Sequence, residues 1–173
     1  MNRTEALYIV KQNVPENPVT CEVGFFRGEF SKIINEVLEP KTHYVIDTFD
    51  DKNMVSGDKD GNNVVVQDMT KMEEYSRSLG YETIKGTTND LWRINEQFDF
   101  IYIDADHSYE WVSRDLNNVL TKTKSGTVIG GHDYSIDKFP GCYHAVNDFC
   151  KEYDLSILLL TDDGCPSYFI RVP

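Results

Sequence analysis

Two groups of residues in this 173-residue chain have the types and spacing to do chemistry. The first is a set of carboxylates and imidazoles in two short runs, Asp104-Ala105-Asp106-His107 and Gly130-Gly131-His132-Asp133-Tyr134. Each run follows an apolar stretch of strand length, Phe98 to Ile103 and Thr127 to Gly130. In open α/β sheets ligands bind beyond the carboxyl ends of the strands. If these two strands are neighbours, Asp104, Asp106, His107, His132 and Asp133 converge there. Such a cluster suits a divalent cation, Mg²⁺ or Mn²⁺ where oxygens dominate. Structural roles compete with this reading: Asp106 could cap the following helix, and His107 or His132 could be a hydrogen-bonded histidine near the surface.

The second group is the loop Glu22-Val23-Gly24-Phe25-Phe26-Arg27-Gly28, which joins a strand ending at Val23 to a helix beginning near Phe30. Glycines at such a turn let backbone approach a ligand closely, though packing alone can also demand them. Ser31 and the free N–H groups of the helix's first turn favour a negatively charged group. Asp47 ends the next strand, where a carboxylate can accept hydrogen bonds from both ribose hydroxyls. The glycine spacing departs from the dinucleotide pattern, and Glu22 would repel a pyrophosphate. Glu22 suits a cationic amino group and a sulfonium, as in S-adenosylmethionine (SAM).

These residues need a scaffold. Strand-length apolar runs occur at Val19 to Val23, His43 to Ile46, Glu82 to Lys85, Phe98 to Ile103, Thr127 to Gly130, Ser156 to Leu160 and Tyr168 to Val172. Phe100-Ile101-Tyr102-Ile103 and Ile157-Leu158-Leu159-Leu160 are continuous rather than alternating, as in strands covered on both faces. Helical stripes lie between them: Phe30, Ile33, Ile34, Val37 and Leu38; then Val112, Leu116, Val119 and Leu120; then Ala145, Val146, Phe149 and Cys150. This alternation predicts a Rossmann-like, seven-stranded, mostly parallel α/β sheet with helices on both faces. The connection 161–167 is too short for a crossover helix, so the last strand should be antiparallel. The polar stretch 50–63 reads as a surface loop that could serve as a lid. His43 and His144 read as structural or solvated, and Trp92 and Trp111 as core or groove-lining.

Bulk properties narrow the partners. Seventeen Lys plus Arg against 29 Asp plus Glu give a formal charge of -12. That field disfavours nucleic acid and anionic membrane surfaces. The length suits a single domain over 1–173, and no apolar stretch is long enough to span a bilayer, so a cytoplasmic protein is expected. Cys21, Cys142, Cys150 and Cys165 form no short paired spacing, which predicts free thiols.

The motifs together resemble the class I SAM-dependent methyltransferases, and among them the small group called methyltransferase domain 24. The resemblance rests on residues 21–31, 44–49, 84–88, 98–110 and 130–134, with 141–150 similar to the helix that follows in that group. It implies strand order 3-2-1-4-5-7-6 with strand 7 antiparallel. It also implies that Glu22, Gly24, Gly28 and Ser31 hold the methionine part of SAM, Asp47 the ribose, Thr48 and Phe49 the adenosine side, and Thr87 and Thr88 the adenine region. Thr87 stands where the family is often acidic. Metal-dependent O-methyltransferases with a similar Asp-Ala-Asp motif imply Asp104, His132 and Asp133 as metal ligands, although relatives usually carry a carboxylate or amide in place of His132. On that reading Asp104, His107 and Asp133 are catalytic, with His107 a general base, and Asp104 also touches the cofactor. The acceptor is expected to be a small molecule or sugar, and a homo-oligomer is compatible with the sequence. A catalytically inactive SAM- or nucleoside-binding protein, or a hydroxylase-like relative, are the alternatives.

Overall fold

The computed structural model describes residues 1–51, 54–56 and 65–173. In chain order the elements are α1 (Arg3–Lys11), β1 (Val19–Val23), α2 (Glu29–Leu38), β2 (Thr42–Asp47), β3 (Met54–Ser56), β4 (Val65–Gln67), α3 (Met72–Ser78), β5 (Glu82–Lys85), β6 (Phe100–Ile103), α4 (Tyr109–Leu120), β7 (Val128–Gly131), α5 (Pro140–Glu152), β8 (Ile157–Leu160) and β9 (Tyr168–Arg171). Short 3₁₀ turns span Met69–Lys71 and Thr88–Arg93.

Seven strands form one sheet in the order β5-β2-β1-β6-β7-β9-β8. Pairing is parallel from β5 through β7, and β9 runs antiparallel to both β7 and β8. Numbered within the sheet alone, this is the expected 3-2-1-4-5-7-6 with its last strand reversed. The seven-residue connection 161–167 leaves no room for the helix that a parallel return requires.

Every residue of β1, β6 and β7 is buried. The period of two sends alternate side chains to opposite faces. Val19, Cys21, Val23, Ile101 and Ile103 pack with Val112, Leu116, Ala145 and Phe149 of α4 and α5. Phe100 and Tyr102 point the other way and pack with α1 and α2 through Leu7, Val10, Phe30 and Ile34. Glu22, neighbouring Cys21 and Val23 in the strand, is thereby directed to the α1–α2 face.

Three elements depart from the sequence reading. The opening segment, to which the sequence reading assigned no element, is helix α1; Asn2 and Glu5 close a reciprocal capping box with hydrogen bonds of 2.9 Å each way. Helix α3 escaped notice because its one buried residue is Ser76, which leaves no apolar stripe. Within the stretch expected to be a loop, Met54–Ser56 pairs antiparallel with Val65–Gln67. The rest of the proposed lid, 52–53 and 57–63, lies outside the described residues. Among those described, no helix is long and apolar enough to cross a membrane.

Candidate functional site

The carboxyl ends of β1, β2, β5 and β6 open into a cleft of about 390 Å³, a size in the range of small-molecule pockets. Of the residues that the sequence singles out for the cofactor, Gly24, Asp47, Thr48, Thr87, Thr88 and Asp104 line it. Gly86, Trp111, Arg114 and Asp115 also line it and were not singled out as ligand contacts. Trp111 fits its groove-lining reading, whereas Trp92 is 75% exposed and belongs to neither core nor groove.

Gly24 has φ +92°, and a Cβ there would lie 2.0 Å from the Asp104 carbonyl oxygen. Glycine is therefore required for β1 and β6 to meet at the cleft floor. Asp104 N–H donating to Val23 O at 2.8 Å closes this join, and Gly24 N–H donating to Ile46 O at 2.9 Å ties the loop to β2. The Asp47 carboxylate accepts the Phe25 N–H on Oδ2 at 2.7 Å and the Phe49 N–H on Oδ1 at 2.9 Å. These bonds fix its direction, and each oxygen keeps a lone pair for a ligand hydroxyl. Phe26, Phe49 and Asp133 adopt positive φ of 47°, 50° and 61°. Such backbone costs on the order of 1–3 kcal/mol per residue and collects where binding geometry is held.

Glu22, Gly28, Ser31 and Phe49 do not line the cleft. Glu22 is 2% exposed and accepts a hydrogen bond from the Ser31 hydroxyl on α2. Phe49 packs behind the wall with Phe25 and Tyr81. Gly28, at φ +70°, begins α2, and a Cβ there would strike the Phe25 ring at 2.4 Å. Thr87 caps the 3₁₀ turn, its Oγ1 accepting from Asn89 N–H while Asp90 accepts the Thr87 N–H. Thr88 Oγ1 donates to Asp115 at 2.6 Å.

Burial raises the Glu22 carboxyl to about 8 from 4.5, against the lowering effect of its Ser31 bond. A carboxyl raised on folding loses stability as pH climbs from its unfolded to its folded value. Glu22 should therefore erode stability between about pH 4.5 and about pH 8. Glu22→Gln keeps an acceptor for Ser31 but cannot ionise. It is expected to melt about 5 °C or more above wild type at pH 8 and nearly level with it at pH 5 in scanning calorimetry.

The carboxylate and imidazole runs do converge, around a small neighbouring cavity that shares Asp104 with the cleft. Asp133 is nearly buried and accepts from His107 Nε2 on Oδ2 at 2.7 Å, from His132 Nδ1 on Oδ1 at 3.2 Å and from Cys165 Sγ on Oδ1 at 2.8 Å. Burial opposes its ionisation, but these three donors hold it well below the ordinary carboxylate range. His107 is raised, first by its bond to Asp133. For His132, burial disfavours the proton, yet the Asp133 bond and the Asp104 charge leave it raised. Asp104 is raised by burial and by the Asp133 charge, while His132, Arg3 and His107 counter the shift. Asp106 is exposed and accepts the Ser108 N–H at 2.7 Å, forming a turn just before α4, whose cap position Ser108 takes rather than Asp106.

The described residues gather three ligand atoms within 4.8 Å in two sets, Asp104–His107–Asp133 and His132–Asp133–Cys165. The expected set Asp104, His132 and Asp133 is divided between them, with Asp104 Oδ1 3.8 Å from His132 Nδ1. The donor chemistry fits a divalent cation. Cys165 was missed because it arrives from the β8–β9 turn, 32 residues along the chain from Asp133. Arg3 was missed with α1. Its guanidinium lies 4.5 Å over the Phe30 ring and 3.5 Å from Asp104 Oδ2, and its backbone N–H donates to Asp163. The four cysteines are free, as expected, and His43 is buried against Thr20 and Tyr81, a structural role.

The fold is shared with solved methyltransferases. The O-methyltransferase NovP superposes with TM-score 0.68 at 21% identity, over 99% of this chain and 80% of that one. An O-methyltransferase from Bacillus cereus, solved with SAH, gives 0.66 at 16%, over 99% and 80%. The SAH-bound methyltransferase PaMTH1 of Podospora anserina gives 0.66 at 13%, over 100% and 80%. No curated protein sequence matches the chain. The family model described as a methyltransferase domain matches residues 21–134, more than half of the chain, on the same motifs that form the cleft. The chain belongs to the methyltransferase-domain family of SAM-dependent enzymes and has their class I fold.

Proposed function

We propose that this methyltransferase binds SAM in the cleft and methylates an oxygen of a small-molecule or sugar acceptor, with a divalent cation assisting. The observation that carries the reading is Asp47, whose carboxylate is fixed by two backbone N–H groups in the cleft that Asp104 also lines. SAM supplies a methyl group on a sulfonium, ready for in-line displacement.

On this reading Asp47 holds the ribose hydroxyls, Thr48 and the Phe49 backbone flank the adenosine, and Thr87 and Thr88 border the adenine region. Gly24 admits the methionine end, while Gly28 and the Glu22–Ser31 pair shape the loop around it from behind. Asp104, His132 and Asp133 would hold the cation, which would lower the pKa of an acceptor hydroxyl. With His107 Nε2 committed to Asp133, its Nδ1 is the nitrogen left to take the acceptor's proton. The B. cereus and NovP structures, named as O-methyltransferases, support oxygen as the acceptor atom.

Calorimetric titration with SAM, followed by SAH release across a panel of phenols and sugars, tests the proposal. Binding with turnover on at least one hydroxyl is the expected result. Tight binding without SAH from any acceptor would point to a non-catalytic SAM-binding protein. His107→Ala should lower kcat by roughly 10²–10⁴-fold while SAM affinity stays within two-fold of wild type. Equal kcat would remove the base assignment.

A further inference from the structure

Sulfur changes the character of the acceptor-side cluster. The Cys165 thiol donates to Asp133 Oδ1 at 2.8 Å, and His132 Nδ1 stands 3.2 Å from the same oxygen. Asp133 is buried, and its backbone stands in the strained conformation of φ +61°. The turn that carries Cys165 is tied down on both sides: Tyr134 N–H donates to Pro166 O at 2.9 Å, and Lys138 Nζ donates to Gly164 O at 2.7 Å. The His132 backbone is held in turn, its carbonyl accepting from Cys142 Sγ at 3.3 Å.

We infer that His132, Asp133 and Cys165 form a site for a borderline-soft divalent cation of the Zn²⁺ class. A tetrahedral centre with bonds of about 2.0 Å to nitrogen or oxygen and about 2.3 Å to sulfur sets its ligand atoms about 3.3–3.6 Å apart. The three atoms here lie within 4.8 Å of one another, so shifts of about an ångström suffice. Mg²⁺ takes oxygen ligands in octahedral array, whereas a thiolate with an imidazole and one carboxylate selects Zn²⁺ or Co²⁺. Cation binding displaces the thiol proton, now shared with Asp133, to solvent.

Three protein ligands leave a fourth position, the arrangement of a site that takes an exchangeable ligand rather than a closed structural one. A cavity of about 10 Å³ beside His132 and Asp133 is also lined by Asp104, which lines the cleft as well. His132 and Asp133 thereby adjoin Asp104 at the edge of the cleft where the acceptor would sit. This inference rests on the reading that a cation binds at the acceptor side, and it replaces an oxygen-selective ion with a sulfur-tolerant one.

The test uses the full chain, stripped of metal and titrated with Co²⁺. The expected result is one equivalent bound, with a near-ultraviolet thiolate-to-Co²⁺ charge-transfer band. That band should be displaced by Zn²⁺, resist excess Mg²⁺, vanish in Cys165→Ser and persist in Cys150→Ser. In the wild-type protein, so that folding of a variant is not at issue, stoichiometric Zn²⁺ should slow alkylation of Cys165 by about ten-fold or more, and Mg²⁺ should not. Co²⁺ bound without the band, lost in Asp104→Asn and retained in Cys165→Ser, would overturn the sulfur site and leave an oxygen-rich site standing. Absence of Co²⁺ and Zn²⁺ binding would overturn it as well. SAM titration of the same samples reports separately on cofactor binding.

Discussion

Asp47→Ala should weaken SAM binding by about 100-fold or more, measured by calorimetry, with little change in the far-ultraviolet circular dichroism spectrum. Two hydroxyl-to-carboxylate hydrogen bonds, each worth about 1.5–3 kcal/mol to a charged acceptor, account for the factor. A second loss adds to it: the Phe25 and Phe49 N–H groups lose the acceptor that fixes the strand ends at the cleft wall. Asp47→Asn is isosteric but does not restore the site. One amide oxygen can still accept a single backbone N–H, but the amide nitrogen faces the other N–H with a donor, so both substitutions should impair binding. Equal SAM affinity in wild type and Asp47→Ala would remove the ribose assignment.

Gly24→Ala is expected to be the most damaging glycine-to-alanine substitution among the described residues, with turnover below detection and stability lower by about 2–4 kcal/mol in urea unfolding. At φ +92° an L-residue is strained whatever the space, and the space is absent: the new Cβ would lie 2.0 Å from the Asp104 carbonyl oxygen. Relief requires β1 and β6 to part where Asp104 N–H meets Val23 O, and Asp104 moves with them. Gly126, at φ +89° but with nothing within 4 Å of a Cβ, is the control. Gly126→Ala should carry the φ penalty alone, with turnover retained. Similar turnover losses in the two variants would show that strain, not the strand junction, explains Gly24.

The centre of the sheet was legible because β1, β6 and β7 are buried on both faces, which leaves near-continuous apolar runs such as Phe100 to Ile103, and because the short 161–167 connection admits only an antiparallel return; Ile157 to Leu160, read as covered in the same way, is instead the edge strand β8, with Leu158 and Leu160 exposed. The stripes of α2, α4 and α5 were legible for the complementary reason, a wide apolar face on each helix. Helix α1 was not, although its Asn2–Glu5 capping box stood in the sequence, because only Ala6, Leu7 and Val10 are buried on it. The strand-end residues of the site followed from topology: once β1, β2 and β6 are adjacent and parallel, Gly24, Asp47 and Asp104 must share an edge. What topology does not convey is side-chain direction. Glu22 has its strand-end position as read, but the two-residue period turns it to the α1–α2 face and onto Ser31. Cys165 and Arg3 depend on how a turn and a helix close over the edge, which no local spacing encodes.

Arg3 gives that closure an electrostatic meaning. Its guanidinium stands 3.5 Å from Asp104 and counters the upward shift that burial imposes on that carboxyl. The same residue is anchored through its backbone to Asp163 in the β8–β9 turn that also carries Cys165. The proton affinity of the carboxylate at the centre of the site is thus set partly by a helix about a hundred residues away in the chain. Loosening of the first turn of α1 would change the acidity of Asp104 without altering a single residue of the cleft.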